Sequence, residues 1–202
     1  MKGKIALILA ALLLLSGCSG GEKEDDQEAL TSSKSSVSEQ QKEKTQDETD
    51  AEEEAEFPGT YTVPEGWVKH TQFSTADTIF YIQEGQEEEQ FPDNIAISVG
   101  SNPYSLEEQE QFREAITQQL LMQLQGVKGE LKGDGSYTAQ DYVLYTFTID
   151  EGGIITKQYY IVDDYRFCLV HLTNFTRAES SDEAARTIVD SFVWTTEPEE
   201  KA

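Results

Sequence analysis

Two cysteines, two histidines, several runs of carboxylates and a scatter of tyrosines are the side chains here whose types could do chemistry. Cys18 directly follows Leu15-Ser16-Gly17, at the end of an apolar run. A thiol is the nucleophile that thioether formation needs, and two small residues before it let a peptidase close on the backbone. Cys168 lies inside Phe167-Cys168-Leu169-Val170. A reactive cysteine wants a histidine and a cationic setting; an apolar run suits a buried small residue in a strand. With Cys18 committed elsewhere, Cys168 has no disulfide partner. His70 and His171 show neither His-x-x-x-His nor His-Glu-x-x-His spacing. His171, in an apolar strand, is expected to be a hydrogen-bonded core or edge residue, and His70 a surface strand residue. Glu87-Glu88-Glu89 with Asp93, and Asp163-Asp164, read as solvated acidic loops, because calcium loops need spaced oxygens around a tight glycine turn. Tyr61, Tyr104, Tyr137, Tyr142, Tyr159, Tyr160 and Tyr165 fall mostly at strand positions and are expected to cover a sheet face rather than line a groove. From Phe57 onward no serine stands in a Gly-x-Ser-x-Gly setting, and Gly129 to Gly135 fits no phosphate-loop template. No catalytic residue, metal ligand or cofactor is therefore expected.

The segment that presents Cys18 has its own organisation. Lys2 and Lys4 precede an uninterrupted apolar stretch, Ile5 to Leu15, which suits the hydrophobic region of a signal peptide. Crossing a bilayer as a helix takes roughly 20 apolar residues, so this stretch is too short to span. Leu15-Ser16-Gly17-Cys18 resembles the lipobox of bacterial lipoproteins. The resemblance implies that residues 1–17 are a signal peptide cleaved after Gly17. It also implies that Cys18 carries a diacylglycerol and becomes the new N-terminus. Two or more acyl chains anchor a protein stably where one is marginal.

The chain has 15 Lys and Arg against 39 Asp and Glu, and loss of the two leader lysines takes its formal charge from −24 to −26. Nucleic-acid phosphates would repel such a protein, and an anionic membrane would hold it only through lipid. Residues 19–56 contain no aromatic side chain and carry 14 acidic against 4 basic residues. Such a segment buries too little apolar surface to offset its ordering entropy. Residues 18–56 are thus expected to be a lipidated cysteine followed by a disordered acidic tether, reaching ~130 Å when extended. That reach favours a Gram-positive cell surface.

From Phe57 the composition changes, and residues 57–195 have the size of one domain, with 196–202 an acidic tail. Thr60 to Val63 reads as a first strand, Pro64-Glu65-Gly66 as a turn, and Trp67-Val68 as a restart. Thr78 to Gln83 is rich in β-branched and aromatic residues, and Ile95, Ile97 and Val99 alternate along the next strand. Ser105 with Glu108 forms a capping box. The helix beyond it carries Phe112, Ile116, Leu120 and Leu124 on one stripe, which Leu121 is expected to widen. Gly126 suits its end. Val127 to Leu131 is expected to be a short strand and Asp134-Gly135 a turn. Tyr142–Ile149 and Ile154–Val162 form a hairpin through Gly152-Gly153, and Arg166 to Leu172 completes a meander expected at the sheet centre with cover on both faces. Ser180 with Glu183 suggests a second capping box, opening a helix with Ala185, Ile188, Val189 and Phe192 on one stripe. This order of elements is an α+β pattern, helices packed on an antiparallel sheet.

Three pieces together, Val63-Pro64-Glu65-Gly66-Trp67, Gln158-Tyr159-Tyr160 and Val189-Asp190-Ser191-Phe192, resemble the PsbP-like and DcrB-like lipoproteins. The resemblance implies a central antiparallel sheet sandwiched by helices and a binding or assembly module without catalytic activity. The expected protein is therefore a lipid-anchored, extracytoplasmic module with a protein partner, not an enzyme. The alternative is a surface lipoprotein that binds a small ligand or a metal cation.

Overall fold

The computed structural model describes residues 57–198. The signal peptide, Cys18, the tether and residues 199–202 of the tail lie outside the described residues. The elements are β1 (Gly59–Thr60), β2 (Trp67–Lys69), β3 (Thr78–Gln83), β4 (Asn94–Ser101), α1 (Gln109–Gln123), β5 (Gly129–Tyr137), β6 (Val143–Glu151), β7 (Ile154–Asp163), β8 (Arg166–Asn174), α2 (Glu179–Ser191) and β9 (Val193–Trp194). Seven strands form one antiparallel sheet in the order β2-β3-β4-β8-β7-β6-β5, while β1 pairs with β9.

Side-chain alternation divides this sheet into two cores. On one face α2 sets Ala185, Ile188 and Val189, with Phe192 just beyond its end, against Ile97, Leu144, Ile161, Cys168, Val170 and Leu172, all essentially inaccessible to solvent. On the other, Phe112, Ile116 and Leu120 of α1 pack on Tyr145, Phe147, Tyr160, Val162 and Leu169. The expected sandwich of helices about an antiparallel sheet is the arrangement found.

Several local expectations are corrected. The meander supplies the central strand, β8, but is not itself centred: β4 pairs along the other side of β8, while β6 lies next to the edge strand. The first strand is only Gly59–Thr60; Tyr61 to Val63 leave the ladder. A Cβ on Gly59 would stand 2.4 Å from the Phe192 ring, so this close approach needs glycine. Asp134-Gly135 is not a turn but the interior of a nine-residue strand. Gly133 and Gly135 face the rings of Phe147 and Tyr145 on β6, which a Cβ would crowd at 3.2 and 3.4 Å. Leu121 does not widen the core stripe; it is 53% exposed.

The Ser105–Glu108 capping box is present but opens a single 3-10 turn, Leu106–Glu108, ahead of α1. No box forms at Ser180, which lies inside α2. There the cap comes from outside the helix: Ala178 N–H donates to Asn174 Oδ1, and Ser181 Oγ donates to Asp93. Gly152 and Gly153, with φ of 61° and 93°, form the two-residue link from β6 to β7, as a primed hairpin turn requires.

Candidate functional site

Asp93, Asp163 and Asp164 are bound up in structure, whereas Glu87, Glu88 and Glu89 are exposed. Asp93 is 1% exposed, apart in role from the exposed Glu87–Glu89 run. It accepts hydrogen bonds from Phe175 N (2.8 Å), Thr176 N (2.9 Å), Thr176 Oγ1 (2.6 Å) and Ser181 Oγ (2.6 Å). One buried carboxylate thereby fastens the β8–α2 connection to the start of β4. Asp163 accepts from Arg166 Nε at 2.9 Å and Nη2 at 2.6 Å. Asp164 Oδ1 accepts from Leu106 N at 2.8 Å, holding the entry to α1. The acidic-loop reading of Asp93, Asp163 and Asp164 is thus overturned. A buried carboxylate persists only where donors replace its water. Among the described residues, no group of three or more His, Cys, Asp or Glu side chains is placed to hold a metal ion.

Cys168 lies wholly within the α2-side core, and burial raises its thiol pKa far above the usual range. The tyrosines mostly cover the sheet, as expected. Tyr61 and Tyr81 share a 3.0 Å hydrogen bond, and Tyr145 donates to Gln109 and Glu110 on α1. Burial, then the Glu110 carboxylate, pushes the Tyr145 phenol up to about 12. Tyr137 is the exception, 66% exposed on β5.

The histidines depart from expectation in different ways. His70 follows β2 and is half-buried, its ring stacked on Phe73 at 4.2 Å and edge-on to Phe80 at 6.4 Å. Its Nδ1 is buried without a hydrogen-bond partner among the described residues. Of the core and edge positions expected for it, His171 takes the core one, on the central strand, but neither ring nitrogen hydrogen-bonds to a described residue. Although the ring keeps some surface, the packed sheet around it disfavours its cation and lowers its pKa to about 4. It is a neutral imidazole at pH 7, offering one donor and one acceptor.

Strand register brings these residues into one row. His70 N donates to Phe80 O at 2.8 Å; Phe80 stands opposite Ala96, Ala96 opposite His171, His171 opposite Gln158, and Gln158 opposite Phe147. The row crosses the α1 side of the sheet. His70 and His171 are three strand spacings apart, roughly 14 Å, too far to share a ligand ion. The α1 core covers Phe147 and Tyr160, while Phe80, Ala96, His171 and Thr173 remain half-buried. Tyr160 OH donates to Gln158 Oε1 at 2.9 Å, fixing the amide beside His171.

This strip has an aromatic wall, a neutral imidazole, an amide and hydroxyls, and its row carries no charged side chain. Such a surface can seat a neutral, partly apolar group and hydrogen-bond it, but it offers no activated nucleophile. Sequence reading singled out the histidines and missed Phe80, Gln158 and Thr173. The available signal was the polar His171 and Thr173 alternating with buried Val170 and Leu172 on a strand that is otherwise strongly apolar.

No protein-family model matches the chain, and no curated protein matches it. Among solved structures it is similar to the solution structure of cyanobacterial PsbP (CyanoP) from Synechocystis sp. PCC 6803, with 14% sequence identity and a TM-score of 0.47, over 68% of this chain and 86% of that chain. A likeness of that size bears on neither family membership nor function.

Proposed function

We propose that this chain is a lipid-anchored module on the extracytoplasmic face of the cell membrane that binds a protein partner and catalyses no reaction. The anchor rests on Leu15-Ser16-Gly17-Cys18; the site outlined by the Cys18 thiol is a modification site, not a reaction centre. The acidic stretch that follows serves as a spacer and suits a Gram-positive surface. The binding role rests on the half-buried strip of Phe80, Ala96, His171 and Thr173, where His171 is neutral and Gln158 is fixed beside it. This is the observation that carries the reading: a firmly built sheet leaves open a strip suited to seating a side chain. Among the described residues the Cys168 thiol, the imidazoles and the carboxylates do not converge; Cys168 and His171 lie on opposite faces of β8.

Two measurements test the two halves. Cys18→Ala releases the protein from the membrane fraction; retention of the variant there refutes the anchor. A photo-reactive side chain placed at Thr173 in the full chain, on intact cells, captures a discrete partner that the same group at exposed Tyr137 does not. Identical capture patterns at the two positions refute the strip as the recognition surface.

A further inference from the structure

The two ends of the sheet differ. At one, β2 is three residues long, too short to template another strand. At the other, β5 runs nine residues, nearly all exposed, and among the described residues no strand pairs with its outer side. Such an edge presents a row of unpaired N–H and C=O groups. Its occupant is specified by the side chains beside it. Lys128, Glu130, Lys132 and Asp134 alternate in sign along one face, and all four are exposed. Glu130 and Lys132 touch within the chain at 3.3 Å, with side chains 68% and 71% exposed. On the other face Leu131 is half-buried, and Leu121, Met122 and Val127, at and beyond the end of α1, are 53%, 62% and 39% exposed.

An antiparallel copy of the same strand satisfies this pattern. Pairing centred on Leu131 sets Lys128 against Asp134 of the second copy and Glu130 against its Lys132, each twice by the two-fold. It also sets Leu131 against its own mate. Moving the centre by one residue, to Glu130 or Lys132, places like charges opposite. Moving it to Gly133 keeps only the Lys132 and Asp134 pairings. Opposite charges directly across an antiparallel pair stabilise it and like charges oppose it. A two-fold of this kind is perpendicular to the sheet and keeps both α1 helices on one side. The exposed apolar residues at their C-terminal ends then flank the dyad.

We propose that the domain self-associates through β5, antiparallel and centred on Leu131, to form one continuous sheet across two copies. The surface is isologous, as a closed dimer requires.

The test uses the full chain in its own membranes. Cα atoms facing across an antiparallel pair are about 4.5–5.5 Å apart, inside the usual disulfide range. Cys168 is buried and does not compete. Leu131→Cys is expected to give a covalent dimer under mild oxidation, and Tyr137→Cys, far from its mate in this register, is not. Adding Lys132→Glu to Leu131→Cys should cut the dimer yield ~tenfold by setting like charges opposite, and further adding Glu130→Lys should restore it. Failure of Leu131→Cys to cross-link overturns the proposal, as does equal cross-linking at Tyr137→Cys, which signals random collision. Lack of rescue by Glu130→Lys, with thermal melting showing all variants folded, overturns the register. A cross-link from Leu131→Cys to a different protein assigns the edge to another strand and likewise rejects self-pairing.

Discussion

Acidification should weaken this fold through His171. In an unfolded chain a histidine titrates near 6.5, whereas here its pKa is lowered to about 4 by burial. Between those values the unfolded chain binds a proton that the folded chain refuses. Stability therefore rises with pH across that window: it is fully present above about 6.5 and declines as pH falls towards 4, where the loss levels off. At ~1.4 kcal/mol per unit the complete effect is about 3 kcal/mol, of which about 2 kcal/mol is lost between pH 7 and pH 5. That is a large share of a typical stability of roughly 5–15 kcal/mol. The comparison is with His171→Gln, which keeps a polar side chain and removes the titration. Every other ionisable group is common to both proteins, so the difference between their urea-unfolding free energies isolates the imidazole. The wild type should lose about 2 kcal/mol more than the variant over that interval, and the His171 ring should stay neutral by NMR down to about pH 5. Parallel stability curves, or a ring that titrates near its ordinary value in the folded protein, would refute the account of a desolvated imidazole.

Other perturbations have equally definite outcomes. Asp93→Ala removes the acceptor of four hydrogen bonds and should cost about 3 kcal/mol in denaturant unfolding; a cost below ~1 kcal/mol would mean that water replaces the carboxylate without loss. Gly59→Ala forces a methyl group into the Phe192 ring and should lower stability by ~1–3 kcal/mol, read as a fall in Tm. Cys168 should resist alkylation in the native protein and react once denatured; rapid native labelling would contradict its burial. Millimolar calcium or zinc should leave Tm unchanged, and a saturable rise would restore the cation-binding alternative.

Legibility in the sequence followed periodicity. Ile95, Ile97 and Val99, and the stripe Ala185, Ile188, Val189 and Phe192, were readable because each repeats with the period of its own element, and Thr78–Gln83 because its β-branched and aromatic residues favour a strand. Gly152-Gly153 was readable because few residues suit two successive positive φ values. What escaped depends on distant neighbours. The strand through Asp134-Gly135 looks like a turn locally, yet its glycines answer to Phe147 and Tyr145 on the next strand. Ser180 with Glu183 has capping-box spacing, but Asp93, far away in sequence, binds Ser181 and displaces that solution. The strip escaped for the same reason: Phe80, Ala96, His171 and Gln158 belong to four separate strands, and only register aligns them. Leu121 shared the apolar character of its helix but sits about 100° round the axis from Leu120, off the face that Phe112, Ile116 and Leu120 bury.

The pairing of β1 with β9 makes the domain's two ends a mechanical unit. Any pull delivered through Phe57 reaches Pro58, Gly59 and Thr60 first, and their backbone partners are Thr195, Trp194 and Val193. A two-residue ladder unzips long before a seven-stranded sheet is loaded. Peeling it lifts the backbone at Gly59 off the Phe192 ring, which closes the α2-side core and packs edge-on to Trp194 at 4.9 Å. Tension on an anchoring chain would thus be converted into exposure of one aromatic pair while the strip on the opposite face stayed intact.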